Sequence, residues 1–89
     1  DPAIIDSIGW LLYKQGHLFE ALTYIKQAYR ASNNDEEIGL HLAEIMWVSG
    51  YKADAKKTWQ QLNRRYSAAL KASHENPALN THSRLPIRP

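Results

Sequence analysis

The sequence predicts an all-α fold of two stacked helical hairpins. Two observations carry this. Residues 8–28 recur 34 positions on: Ile8 pairs with Leu42, Gly9 with Ala43, Leu12 with Met46 and Tyr13 with Trp47. Gly16 pairs with Gly50, Ala21 with Ala55, Ile25 with Trp59 and Ala28 with Leu62. Large positions stay large and small ones stay small, and a period of this size marks a stacked helical repeat. Within each copy the apolar residues then return at helical spacing, as they do in a helix buried along one face.

Asp1-Pro2 predicts the first helix start, because proline is tolerated where the first-turn N–H has no partner. Ile5, Ile8 and Leu12 fall on one face, with Ile4 and Leu11 widening it towards a second neighbour. Gly16 is the expected left-handed stop, giving a helix over about 3–15. The second helix, about 18–31, turns Ala21, Ile25, Ala28 and Tyr29 inward, with small Ala21 expected opposite small Gly9 for a close hairpin. Ser32-Asn33-Asn34-Asp35 is a turn whose Asn or Asp can cap the next helix. Glu36 and Glu37 follow in its first turn, where the helix dipole favours negative charge. The third helix, about 36–49, ends at Gly50. The fourth, about 52–72, carries Ala55, Trp59, Leu62, Tyr66 and Leu70 with no Gly or Pro before Pro77. Its length exceeds what the repeat needs, and its extra turns are expected to fold over the open end. Residues 74–89 read as a polar, proline-marked tail, irregular and mobile apart from one weak turn over 78–84.

Eighty-nine residues make one small domain. An apolar share of 44%, with three Trp, five Tyr and one Phe, suffices for a core and argues against disorder. No 18-residue apolar run is present to span a membrane, and no signal peptide is visible. A start other than Met reads as a processed product or a piece of something longer. The absence of cysteine excludes disulfides and cysteine-ligated metal sites. Charge is divided unevenly. Residues 1–50 hold three Lys/Arg against seven acids, and residues 51–89 hold eight against two. The basic half is spread over helix faces without an aromatic ladder, which reads as solvated surface. Lys56, Lys57, Arg64 and Arg65 leave nucleic-acid binding as a lesser alternative.

These residues resemble the tetratricopeptide repeat (TPR) family. The pattern W-x2-L-G-x2-Y, then A-x3-F is met by Ile5-x2-Ile8-Gly9-x2-Leu12 and Ala21-x3-Ile25. It is met again by Gly39-x2-Leu42-Ala43-x2-Met46 and Ala55-x3-Trp59. Tyr13-Lys14-Gln15-Gly16 with Glu20-Ala21 lies very near the consensus, and Asp6-Ser7-Ile8-Gly9-Trp10 is similar to bacterial members. The resemblance covers about 2–69. The opening Trp is lost to Ile5 and Gly39, and the closing Pro to Asn33 and Ser67, which leaves the angle between repeats open.

The resemblance implies a short right-handed solenoid of antiparallel hairpins. Repeat 1 would occupy 1–35, repeat 2 with its extended second helix 36–73, and the tail 74–89. It implies a scaffold whose concave groove binds a partner peptide or domain. The groove positions are Asp6, Trp10, Tyr13 and Lys14 in repeat 1, and Leu40, Glu44, Trp47 and Val48 in repeat 2. Against this stands the plainer reading that Trp10 and Trp47 simply pack on a neighbouring helix. Two repeats are few, so Ile4, Ile8 and Leu11 at the leading edge imply either preceding repeats or self-association, such as a homodimer. The bacterial likeness favours the cell envelope over the cytoplasm.

No catalytic arrangement is legible. His41 and Glu44 have the spacing of a metal-binding pair, but no second pair completes a site, so solvated polar side chains are expected. His17 is expected in an exposed turn. Ser7 has no His and acid arranged around it, and no Gly-rich phosphate loop is present. The reading is not an enzyme, with no metal and no cofactor.

Overall fold

Every hairpin turn closes on local hydrogen bonds that the sequence supplies. The computed structural model describes residues 1–73, so the tail, with His74, His82 and the turn expected at 78–84, lies outside the described residues. Four helices follow in order: α1 Pro2–Lys14, α2 Leu18–Ala31, α3 Glu36–Val48 and α4 Lys52–Ser73. Among the described residues all regular structure is helical.

Asp1 caps α1, its Oδ1 accepting from the Ala3 N–H at 3.0 Å, and this starts the helix one residue earlier than expected. Asp35 does the same for α3, accepting from the Ile38 N–H at 3.1 Å. α1 and α3 each stop one residue short of expectation, because Gln15 and Ser49 are already C-caps. The glycines that follow are left-handed, with φ of 86° at Gly16 and 95° at Gly50. The backbone can then bend far enough for the His17 N–H to reach the Leu12 carbonyl at 2.9 Å, and Tyr51 that of Met46 at 2.8 Å. The turn after α2 uses two left-handed asparagines, Asn33 and Asn34, a conformation Asn tolerates better than most residues.

α2 is the central helix. It packs on α1 and on α3, α1 also touches α3, and the backbones of α2 and α4 do not come close among the described residues. The larger core joins Ala21, Leu22, Ile25 and Ala28 of α2 to Ile38, Leu42 and Ile45 of α3, with Ile5 and Leu12 of α1 packed against them. The smaller joins Ala43 to Ala55, Trp59 and Leu62. Ile25, Ile45 and Leu62 are fully buried, each gaining about 1.5–3 kcal/mol from leaving water.

Two sequence expectations change in detail. The side chain that closes on Gly9 is Ile25 rather than Ala21: a Cβ on Gly9 would lie 2.7 Å from Ile25 Cγ1 and 3.2 Å from Tyr24 Cβ. Ile8 stands with Ile4 and Leu11 on the exposed side of α1, while Ile5 and Leu12 face inward. Gly39 holds the position where a TPR pattern has Trp. A Cβ there would meet the Tyr29 ring at 2.9 Å and Leu62 Cδ2 at 3.0 Å, so α3 sits close to both α2 and α4.

Gly9→Ala is expected to destabilise the protein even though Ala is the better helix former. Ile25 is fully buried and would have to shift within the core, and overpacking costs about 1–3 kcal/mol against a propensity gain of about 1 kcal/mol. A lower urea midpoint at unchanged m-value is the expected result. A raised midpoint would mean that Ile25 does not seat against Gly9.

Candidate functional site

The helix contacts bring α1 and α3 side by side, and the side chains between them form one connected polar and aromatic seam. Asp6 and His41 meet across the junction, His41 Nδ1 lying 2.9 and 3.1 Å from the two Asp6 carboxylate oxygens. The His41 ring stacks on Trp10 at 4.2 Å between centroids, with the planes 27° apart. Trp10 in turn lies 4.9 Å from the Tyr13 ring. The Tyr13 hydroxyl donates to Glu44 Oε2 at 3.0 Å. Lys14 completes the group, its ammonium 5.0 Å from the Trp10 ring centre and 5.7 Å from that of Tyr13, inside the range of a cation–π contact.

His41 and Glu44 were expected as a solvated polar pair. Both are instead half-buried, and each holds a different residue of α1. Sequence reading missed His41 as a junction residue. The available signal was its offset of 35 from Asp6, one period plus one, which places the two on facing sides of adjacent helices. Among the described residues no three His, Cys, Asp or Glu side chains come together as a metal site.

The second half of the predicted groove is arranged differently. Trp47 is half-buried against the α3–α4 core, 5.8 Å from the Trp59 ring, and Lys52 lies 4.8 Å over its face. Leu40 packs on the same core, while Val48 is exposed. The plain packing reading therefore accounts for part of both Trp10 and Trp47, since both touch a core cluster.

Three further surfaces bear on function. Ile4, Ile8 and Leu11 form an exposed apolar edge of α1. A crevice of about 180 Å³ near the turn ends of the hairpins is lined by Phe19, Leu22, Met46 and Tyr51 among others. The sequence signal for it was Phe19, directly after a turn where the second copy has Ala53. On α4, Arg65 is tied down, donating to the Asn34 carbonyl at 2.6 Å and to the Tyr29 hydroxyl at 3.5 Å. Of the four basic residues considered for a polyanion, Lys56, Lys57 and Arg64 are likewise exposed.

Over 44 residues the chain is 48% identical to a TPR repeat-containing protein of Pseudomonas aeruginosa. This likeness supports a TPR-type relationship over about half of the chain. The matched stretch covers 49% of this chain and 7% of that protein, so the chain spans a small fraction of the relative's length. No family model matches, and no solved structure matches. The TPR relationship agrees with the small positions seen here. Gly9, Ala21, Ala43 and Ala55 are all buried, and at Gly9 the close approach of a second helix is visible directly.

The Asp6–His41 contact is expected to couple the two hairpins. In a double-mutant cycle of Asp6→Asn and His41→Ala, read by chemical denaturation, the coupling should be about 0.5–1.5 kcal/mol. Strict additivity would show that the contact contributes nothing to the junction.

Proposed function

We propose that the face made by α1 and α3 holds a protein partner, either an extended peptide or a docked domain. TPR-type repeats are protein-interaction modules, and the relationship supports that class for this chain. The observation that carries the proposal is the helix placement. The α1 and α3 backbones approach while those of α2 and α4 do not, a placement that supports the α1/α3 side as the concave one. The residues lining it are Asp6, Trp10, Tyr13 and Lys14 with Leu40, Glu44, Trp47 and Val48. Half-exposed aromatics beside a few charges are the composition of an interface hot spot. Asp6 and Glu44 are already engaged by His41 and Tyr13, so the proposed partner contacts fall on Trp10, Trp47, Val48, Lys14 and Lys52.

Self-association is the alternative, and it has its own observation: the exposed edge Ile4, Ile8 and Leu11. It uses a different face, so the two readings separate cleanly.

The groove is tested with a photo-crosslinking residue at Val48 or, as a control on the outside of α4, at Lys57. A saturable protein adduct is expected from Val48 only, and Lys14→Glu should remove it. Because both substitutions are exposed, melting should change by no more than about 0.5 kcal/mol. Equal adducts from both positions would refute a groove-directed site.

A further inference from the structure

The crevice near the turn ends joins apolar walls to two charges of opposite sign. It opens where the backbones of α2 and α4 stay apart, and it measures about 180 Å³. Leu22 is its buried lining and Met46 its half-buried lining, while Phe19, Lys26, Tyr51 and Asp54 are exposed around them. Phe19 is 80% exposed and Tyr51 53%, so neither ring is spent on the core. The repeat does not call for them either. One period on, Phe19 becomes Ala53, and Tyr51 stands where the first copy has His17. Two rings beside one crevice make an apolar patch of the kind that marks an interaction site.

Size and charge together narrow what fits. An apolar cavity of about 150 Å³ accommodates a benzene ring, whereas small-molecule sites run to about 300–1,000 Å³. The crevice therefore has room for one side chain and too little for a cofactor. Ring edges and the Met46 thioether make an aromatic side chain the better filling. Lys26 lies on the α2 side and Asp54 on the α4 side. Among the described residues neither charged group has an ion-pair partner. A hydrocarbon chain would leave both charges unanswered, and a polyanion would be repelled by Asp54. A peptide segment with one acidic and one basic residue answers both.

We propose that this crevice takes one aromatic side chain of a partner protein, on an extended segment that sets an acidic residue against Lys26 and a basic residue against Asp54. The site shares no residue with the α1/α3 groove and does not rest on that reading.

The probe is the capped peptide Glu-Gly-Phe-Gly-Lys, whose alternate side chains share a face when it is extended. Titrated into the 89-residue chain, it is expected to shift the amides of Phe19, Lys26, Tyr51 and Asp54 saturably, with a Kd of about 1 mM or tighter. Replacing its Phe by Ala should weaken binding about tenfold or more. Lys26→Glu, an exposed change that should leave melting unaltered, is expected to weaken the probe about threefold or more. The same variant should bind the capped peptide Lys-Gly-Phe-Gly-Lys more tightly than the unmodified chain does. The inference is overturned if no saturable shift appears up to about 10 mM, or if Lys26→Glu leaves the preference between the two peptides unchanged. Shifts confined to Trp10 and Val48 would overturn it too, since the peptide would then occupy the α1/α3 groove. So would shifts at Phe19 and Tyr51 produced by raising the protein concentration alone, because the occupant would be a second copy.

Discussion

One helix serves two neighbours. α2 presents Ile25 to the bare backbone at Gly9 and joins with Leu22 and Ala28 in covering Ile38, Leu42 and Ile45. A four-helix chain of this size has little core to spare, and most of what it has runs through this helix. The small residues are what make it possible. Without a side chain at Gly9, α1 comes close enough to seat Ile25 fully. Without one at Gly39, α3 comes close to the Tyr29 ring and to Leu62 together. The loss of the large residue usual at the Gly39 position of a TPR pattern is thereby matched by Tyr29 and Leu62, which fill that space from either side.

Polar contacts then fix how the hairpins sit on each other. Asp6 with His41, and Tyr13 with Glu44, tie α1 to α3, and Arg65 reaches from α4 to the Asn34 carbonyl in the turn between the hairpins. Apolar packing is tolerant of small rotations, whereas these bonds weaken steeply with distance and angle. The first two lie where α1 and α3 touch, so the same groups that set the junction also shape the proposed groove. A partner bound there would contact Trp10 while Trp10 is held by His41 and Lys14. The seam is therefore pre-organised, which lowers the ordering cost of binding.

The outer rows of α2 and α4 differ between the two copies. Leu22, Lys26 and Tyr29 give way to Lys56, Gln60 and Asn63. A repeat array needs an apolar face wherever a neighbour follows and a polar one where none does. Among the described residues the leading edge of α1 exposes Ile4, Ile8 and Leu11, whereas α4 exposes Lys56 and Gln60.

The sequence by itself determined the helices and their order. Apolar spacing, the Asp caps and the two glycine stops are local signals, and each acts within a few residues of where it is read. It also determined which residues belong to the core at Ala21, Ile25, Ala55, Trp59 and Leu62, because a repeat states the same burial pattern twice. Only the tertiary structure decided that Ile25 is the residue on Gly9 and that His41 reaches Asp6 and stacks on Trp10. Those outcomes depend on the rotation of one helix against another, a quantity set jointly by side chains far apart in the chain. Spacing along a single helix carries no record of it.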